Sequence, residues 1–260
     1  MILKPMNVGE ILDNTFTMFK EQFKSYLAIA ALGAAPYVGF GLLALIIYYL
    51  FGETAAIIGI LFAVIPTIAV SLAMTGGLIK KASEQISGQE MSVKDAYRFG
   101  FRKAWHLFLG GLLYGLAIII GFIFLIIPCI YLSISFVLFL QAIIIEDKGP
   151  WSALKRSKYL IKGSWWRSFG IIILITVLVS ILSNIASIPL GLLSIWLFGE
   201  GLIGQVVNVI LTTPVSYIFI PFSIIAYTLF YYDLRIRKEN LDLKLMVDNF
   251  TESGSNLPGE

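Results

Sequence analysis

The stretch EDKGPWSALKRSKYLIKGSWWRSFG, residues 146–170, lies between two long runs of apolar residues. It is dense in Lys, Arg and Trp, although the whole chain is 58% hydrophobic and only 13% charged. Soluble domains carry about 25% charged residues, so the sequence around this segment is not that of an ordinary soluble domain. The contrast indicates that the segment connects two membrane spans.

Six apolar runs account for this composition. They contain no Lys or Arg and almost no acid, and they cover residues 26–50, 55–79, 107–127, 129–145, 168–198 and 202–232. A helix needs about 20 residues to cross a hydrocarbon core of about 30 Å, and it satisfies its backbone amides within its own segment. We therefore expect an all-α, polytopic membrane protein with six transmembrane helices.

The 19 Lys and Arg residues lie in alternate connections between these runs. The remaining connections carry only Glu53 and Glu200 as charges, with a tight join at Pro128. Cytoplasmic loops retain Lys and Arg, whereas short translocated loops avoid them. The pattern predicts a multi-pass plasma-membrane protein whose N and C termini are both cytoplasmic, with residues 146–170 on the cytoplasmic side.

This topology divides the chain into three parts. Residues 1–25 are expected to form a cytoplasmic interfacial helix, and residues 26–232 a six-helix membrane domain. Residues 233–260 would be a cytoplasmic tail that is disordered at its end, from about Val247. Within the membrane domain, cytoplasmic loops are expected at residues 80–104 and 146–167.

Three segments carry signals for a helix that precedes a pair of spans. Asn7 with Glu10, and Ser92 with Asp95, have the spacing of a capping box, and Pro150 suits a first helical turn. Counted from the start of each segment, two equivalent positions are aromatic in all three. These residues are Phe16, Phe101, Tyr159, Phe23, Phe108 and Trp166. We expect a three-fold repeat of an amphipathic interfacial helix and a transmembrane hairpin; because the starting points were chosen for the match, three unrelated helices are the alternative.

Proline positions indicate irregular fifth and sixth spans. Pro189 is expected to end the fifth span, so that PLGLLSIWLFGEG (189–201) lies along the outer interface with Trp196 as an anchor. Pro214 and Pro221 each remove a hydrogen bond from the sixth span and predict a kink there.

The chain offers few groups for catalysis or metal binding. A zinc site needs three or four ligands, and the sequence has one His (His106) and one Cys (Cys129). No GxSxG, P-loop or HExxH motif occurs. Glu146 and Asp147 are adjacent, and neighbouring side chains do not face one another on a helix. We therefore expect a protein that is not an enzyme, with no catalytic residue, metal or cofactor.

Polar residues inside the spans are neutral. They are Thr67, Ser71, Thr75, Ser133, Gln141, Asn184, Asn208, Thr212 and Ser216. Hydrogen bonds between helices are favoured over contacts to a transported substrate. The absence of charged residues within the spans argues against ion-coupled transport.

The basic segment lies close to two span ends, where the nearest polyanion is the inner leaflet. Each Lys or Arg there contributes about 1 kcal/mol of attraction to anionic lipid, and Trp suits the headgroup boundary. We expect the bilayer and its anionic lipids as partners and no nucleic acid, and we leave a protein partner or a homo-oligomer open. Membrane anchoring without a specific ligand is the alternative. Candidate lipid-headgroup or partner contacts are Trp151, Lys155, Arg156, Lys158, Lys162, Trp165, Trp166 and Arg167.

Three stretches carry a family resemblance: NVGEILDNTFTMFKEQF (7–23), the segment from Ile126 to Gly170, and YYDLRIRKENLDL (231–243). Over residues 5–245 the chain resembles the membrane domain of bacterial glycerophosphoryl diester phosphodiesterases and related stand-alone bacterial membrane proteins. In the fused members a separate soluble barrel carries the metal-dependent hydrolysis, for which we expect no room here. The resemblance implies a bacterial plasma-membrane protein, an accessory to lipid metabolism or envelope stress.

Two hypotheses follow for function. The first is a non-enzymatic integral membrane protein that binds or organises lipid, or a partner, at the inner leaflet. The second is a permease, an exporter subunit or an immunity protein against membrane-active peptides, suggested by Pro214, Pro221 and the neutral polar residues nearby.

Overall fold

The computed structural model describes residues 5–239, apart from the side chains of Glu53, Ala56 and Leu202. In that range every regular element is an α-helix. The helices are α1 (Val8–Glu21), α2 (Phe23–Phe51), α3 (Glu53–Ile86), α4 (Val93–Ile123), α5 (Ile126–Phe136), α6 (Phe139–Ile145), α7 (Pro150–Ile161), α8 (Trp165–Phe198) and α9 (Leu202–Glu239). The disorder expected from about Val247 lies outside the described residues.

Between residues 5 and 239, six helical stretches are long and apolar enough to cross a membrane. They are Phe23–Phe51, Ile57–Ile86, Val93–Ile123, Ile126–Ile145, Trp165–Phe198 and Ile203–Glu239. Each contains one of the six apolar runs of the sequence or most of it, and α5 and α6 together make the fourth. The prediction of an all-helical, multi-pass membrane protein is confirmed at this level, while the cytoplasmic location of the termini and the three-fold repeat stay predictions.

Helix α1 begins at the predicted capping box. The Asn7 side chain accepts a hydrogen bond from the Glu10 amide at 2.8 Å, and the Glu10 carboxylate accepts one from the Asn7 amide at 2.7 Å. Ile11, Thr15 and Met18 are buried on one face of the helix. Rings of Phe16 and Phe19 contact Phe222 of α9, so α1 packs along the last helix.

The separate interfacial helix expected after Ser92 does not form. Ser92 caps α4 as predicted, accepting a hydrogen bond from the Asp95 amide at 3.1 Å, but α4 then continues without a break to Ile123. A methyl group placed on Gly100 would lie 1.8 Å from the Ala73 carbonyl oxygen of α3. This close backbone approach holds the amphipathic start of α4 against α3 and in line with the apolar part of the helix.

The expectation that Pro189 ends the fifth span is wrong. Helix α8 runs from Trp165 to Phe198 with Pro189 inside it, and Trp196 is 82% exposed on this helix. Membrane helices tolerate an internal proline because neighbouring groups and local adjustments satisfy the freed carbonyl. Pro214 and Pro221 likewise lie within α9.

The hairpins α2–α3 and α8–α9 pack against each other. A Cβ added to Gly41 of α2 would meet Ile210 of α9 at 3.1 Å, and the rings of Tyr37 and Tyr217 are 5.5 Å apart. Between α8 and α9, the Ser187 and Ser216 hydroxyls are 3.3 Å apart. The α4–α5 hairpin lies to one side, in contact with α3 and α7.

Most polar residues of the spans bond within their own helix. Their side chains donate to the carbonyl four residues earlier, as seen for Thr67, Thr75, Ser133, Asn184, Thr212 and Ser216. The expected hydrogen bonds between helices are represented among these residues by the Ser187–Ser216 pair. Other hydrogen bonds between spans involve Tyr hydroxyls, such as those of Tyr97 with the Ile29 carbonyl and of Tyr227 with the Thr176 hydroxyl.

The best-packed part of the molecule surrounds the last turns of α9. Residues 222–236 are almost all buried, and Phe230 and Tyr231 are among the largest fully buried side chains. Helices α1, α6 and α7 and the adjoining ends of α3 and α4 contact this segment or each other. We call this part of the molecule the basic end, because the basic segment 146–167 lies there.

Candidate functional site

Helix α7 is held at a break between α5 and α6. Its Ser157 hydroxyl donates to the Ser135 carbonyl at 2.9 Å and accepts from the Leu138 amide at 3.1 Å. The break frees these two backbone groups, and an unpaired buried backbone group costs free energy. Ser157 therefore fixes the position of α7 while it satisfies the interrupted helix.

Arg156 points inward from α7 to two carboxylates. Its guanidinium lies 2.7 Å from Glu146 and makes a two-pronged contact with Glu239 of α9, one prong at 2.8 Å. Hydrogen bonding to Glu239 raises the pKa of Arg156 further above its ordinary value. Tyr231 donates to Glu146 at 2.6 Å, and Arg235 lies 3.2 Å from the same carboxylate. This ion-pair network joins α6, α7 and α9.

A second network is centred on Asp233, whose side chain is fully buried. Its carboxylate pairs with Arg167 at 2.7 Å and Arg237 at 2.9 Å and accepts from the Met6 amide at 2.8 Å. Both arginines also donate to the Met6 carbonyl, at 2.9 and 2.7 Å. A buried carboxylate with this many donors is a structural anchor, and it ties the start of α8 and residue 6 to α9.

The outer face of α7 borders an apolar groove of about 470 Å³. Trp151, Lys155 and Lys158 lie on one face of the helix because they are four and three residues apart, and all three are exposed. The Lys155 ammonium lies over the Trp151 ring, 5.5 Å from its centre. We call this site the α7 groove; its lining residues are Leu113, Leu116, Ala117, Ile120, Phe136, Trp151, Leu154, Lys155 and Lys158.

The α7 groove combines two kinds of surface. Its floor and walls are side chains from α4 and α5, and Leu116 and Ile120 are about half exposed. Lys155 and Lys158 are the charged residues among those that line it. An apolar cleft with a few placed polar groups is the usual form of a small-molecule site, and 470 Å³ lies within the usual range of volumes. The arrangement suits a ligand with an apolar chain and an anionic head.

The structure separates the eight candidate residues into distinct positions. Trp151, Lys155 and Lys158 meet at the α7 groove, whereas Arg156 and Arg167 are occupied by the two ion-pair networks. The remaining three, Lys162, Trp165 and Trp166, lie beyond α7 at its junction with α8.

The junction of α7 with α8 is mainly aromatic. Trp165 stacks between Tyr131 and Phe169, with ring centres 5.9 and 5.3 Å away. Trp166 is 78% exposed, and Lys162 is exposed while its carbonyl accepts a hydrogen bond from Lys238. An exposed Trp beside an exposed Lys suits the headgroup boundary of a bilayer.

Sequence reasoning missed the acidic partners and the apolar walls. Glu239 and Asp233 pair with arginines that are 83 and 66 residues away in sequence, and Leu116 approaches α7 only through the fold. One local signal was present, because Asp233 and Arg237 are four residues apart, the spacing of a helical ion pair.

A wider cleft of about 760 Å³ lies where α1 meets α2, next to α3 and α4. Its charges have both signs, with Lys20, Lys24 and Lys81 beside Glu21, Glu90 and Asp95. Mixed charge gives no preference for an anion or a cation. Among residues 5–239 no three His, Cys, Asp or Glu side chains are grouped so that they could hold a metal ion.

The comparisons with known proteins identify a family of unknown function. A model of the family described as a domain of unknown function (DUF7847) matches residues 25–234. Neither the curated proteins nor the solved structures give a match. The family match does not extend to the membrane domain of glycerophosphoryl diester phosphodiesterases, so that resemblance stays an expectation. The matched region covers the basic segment, helices α3 to α8 and most of α2 and α9, and the chain belongs to the DUF7847 family.

Proposed function

We propose that the protein is a non-enzymatic, multi-pass component of the bacterial plasma membrane that binds an anionic phospholipid of the inner leaflet in the α7 groove. The observation that carries the proposal is the meeting of an apolar groove with Lys155, Lys158 and Trp151 at one edge. The proposed orientation, with both termini in the cytoplasm, is supported by the distribution of Lys and Arg along the sequence.

The two parts of the groove match the two parts of a phospholipid. An acyl chain laid along Leu116 and Ile120 would cover side chains that are about half exposed, and burial of apolar surface gains about 25 cal/mol per Å². The phosphate would then lie near the ammonium groups of Lys155 and Lys158. Trp151 would lie at the boundary between chain and headgroup, where its ring is favoured.

The ion-pair networks leave the groove lysines free to meet a lipid. Arg156, in the middle of α7, faces Glu146 and Glu239, whereas the exposed Lys155 and Lys158 point to the groove. Two lysines at about 1 kcal/mol each correspond to a roughly 30-fold preference for anionic over neutral lipid. We propose that the protein acts as an accessory to lipid metabolism or organisation, through this binding and not through catalysis.

Lipid retention after purification tests the proposal. Replacing Lys155 and Lys158 by Gln should lower the amount of co-purified phosphatidylglycerol, counted by native mass spectrometry of the intact protein. The matched control is Lys94→Gln with Lys148→Gln, which removes the same charge from two exposed lysines outside the groove. A third variant, Ala117→Leu, narrows the apolar wall and should lower retention with the charges kept. Equal retention in the groove variant and the control would exclude the groove as the lipid site.

A cavity in the other half of the molecule supports a second candidate function. It has a volume of about 340 Å³ and lies between α2, α3 and α9, lined mainly by apolar residues such as Phe40, Ile60 and Val206. Such a cavity would suit a neutral, apolar permeant in a permease or exporter subunit. Ala63→Leu would fill the cavity. Vesicles that contain this variant should take up less of a neutral, apolar permeant, while lipid binding at the α7 groove should not change.

A further inference from the structure

The tip of the α4–α5 hairpin is apolar throughout. Residues 122–127 read FIFLII, and their exposed fractions run from 66% to 79%. The other two hairpins turn at sequences that contain Gly and Glu, at residues 52–53 and 199–201. Six exposed large apolar side chains in succession would be unfavourable in water, where apolar patches of this kind mark contact with a protein or a membrane.

The backbone of this turn also suits a location among acyl chains. Leu125 has a φ of +113°, a region that non-glycine residues rarely adopt. The turn therefore carries a large apolar side chain where glycine would be easier. The amides of Phe124, Leu125 and Cys129 donate to carbonyls of the turn or of α4 at 3.1–3.4 Å, which reduces the cost of placing the turn in hydrocarbon.

The hairpin tip is close to the start of α8. The Trp165 indole N–H donates to the Tyr131 carbonyl at 3.4 Å, and the two rings are stacked. From Tyr131 to the turn at Leu125 the chain rises about 9 Å at most, at 1.5 Å per residue. The tip therefore cannot extend far beyond the level of Trp165.

The other hairpins extend much further. Helix α8 begins at Trp165 and has 34 residues, which correspond to a length of about 50 Å. Gly41 of α2 contacts Ile210 and Val206 near the far end of α9, so the α2–α3 turn at Gly52 lies near the α8–α9 turn at Gly199. The tip of the α4–α5 hairpin falls several helical turns short of both.

We propose that the α4–α5 hairpin does not cross the membrane but enters the inner leaflet from the cytoplasmic side, and that its tip lies among acyl chains. The exposed Lys158, Lys162 and Trp166 mark the headgroup level beside it. Helices α2, α3, α8 and α9 cross the bilayer. This arrangement agrees with the topology that the distribution of Lys and Arg predicts. A hairpin that enters and leaves the membrane on one side keeps both flanking basic segments in the cytoplasm.

Cysteine accessibility in whole cells and inverted vesicles tests the inference. In a Cys129→Ala background, single cysteines are placed at the hairpin tip (Phe124→Cys), at the α8–α9 turn (Glu200→Cys) and in the α3–α4 connection (Gln89→Cys). A membrane-impermeant maleimide should label Glu200→Cys from outside and Gln89→Cys from inside, and it should label Phe124→Cys from neither side. Labelling of Phe124→Cys from either aqueous side would overturn the inference, and the other two positions report orientation and folding independently.

Depth measurement distinguishes a tip in the inner leaflet from one hidden at a surface. A fluorophore on Phe124→Cys, in reconstituted full-length protein, should be quenched most strongly by lipid brominated along the acyl chain. Stronger quenching by a headgroup spin label would contradict the inference. This measurement is independent of the proposed lipid site in the α7 groove, because that site is tested separately by lipid retention in the Lys155→Gln and Lys158→Gln variant.

Discussion

Neighbouring basic residues of α7 have different roles. Arg156 turns inward to Glu146 and Glu239, whereas Lys155 and Lys158 face the groove. The guanidinium can bind two carboxylates at once in a fixed geometry, and the lysine ammonium is a more hydrated point charge on a flexible stem. Along α7, Arg156 is therefore held in an ion-pair network, whereas Lys155 and Lys158 remain exposed.

Asp233 is the residue for which we predict the largest loss of stability. Asp233→Asn keeps the shape but removes the charge that pairs with Arg167 and Arg237. Breaking a buried ion pair costs about 3 kcal/mol or more, so the free energy of unfolding in detergent should fall by about that amount. Asp13→Asn, on an exposed position of α1, is the control and should leave it unchanged. Similar stability for the two variants would contradict the anchoring role.

The roles of individual residues were the part that sequence alone could not supply. The positions of Lys and Arg put Arg156 and Arg167 in the basic segment, but their partners Glu239 and Asp233 are 83 and 66 residues away from them. Long-range pairing depends on how the helices pack, which neither the apolar runs nor the positions of Lys and Arg specify. Whether the candidate residues contact lipid stays a prediction.

At the scale of elements, the sequence predicted which helices form better than it predicted where each helix begins and ends. The capping box at Asn7 and the apolar runs correspond to α1 and the six long helical stretches. The helix continues through Pro189 and through the start of α4, because packing and surroundings outweigh local sequence signals at both places. The Gly100 contact with α3 and the apolar surroundings of α8 keep both helices continuous.

Helix packing at Gly100 gives a test at this scale. Gly100→Ala should separate α3 from α4, because the added methyl group would meet the Ala73 carbonyl oxygen at 1.8 Å. Overpacking costs about 1–3 kcal/mol, and we expect a lower midpoint of thermal unfolding. The control Gly111→Ala adds a methyl group with nothing within 4 Å and should leave stability equal or slightly higher, since Ala favours helix. If Gly100→Ala is as stable as the control, the close contact is absent.

At the scale of the molecule, the two ends are built differently. The basic end is a packed core of apolar and polar groups around residues 222–236 of α9, as in a soluble protein. The far ends of α2, α3 and α8 expose large apolar side chains such as Phe51, Phe62 and Trp196. Apolar side chains of the basic end are covered by other parts of the protein, whereas those at the far ends of the helices are covered by lipid.

Arg156 joins the elements of the basic end, and its removal should loosen that end as a whole. In Arg156→Gln we expect faster limited proteolysis of the connections that flank α7, because Glu146 and Glu239 would lose a shared cation. Both carboxylates lie on α9 or at the end of α6, and they would keep Arg235 as a neighbouring cation but lose their link to α7. The adjacent Lys155→Gln should be cleaved like the unmodified protein. Equal protection of all three proteins would show that the network does not hold α7.

The contacts of Met6 impose an order on assembly. Residue 6 is synthesised first, yet its amide and carbonyl are bound by Asp233, Arg167 and Arg237, which are synthesised much later. During translation, α1 must therefore remain undocked until the last span has been made. Docking of the first helix then requires the start of α8 and the end of α9, and a chain interrupted before residue 233 would leave the buried face of α1, including Ile11 and Met18, open to quality-control proteases.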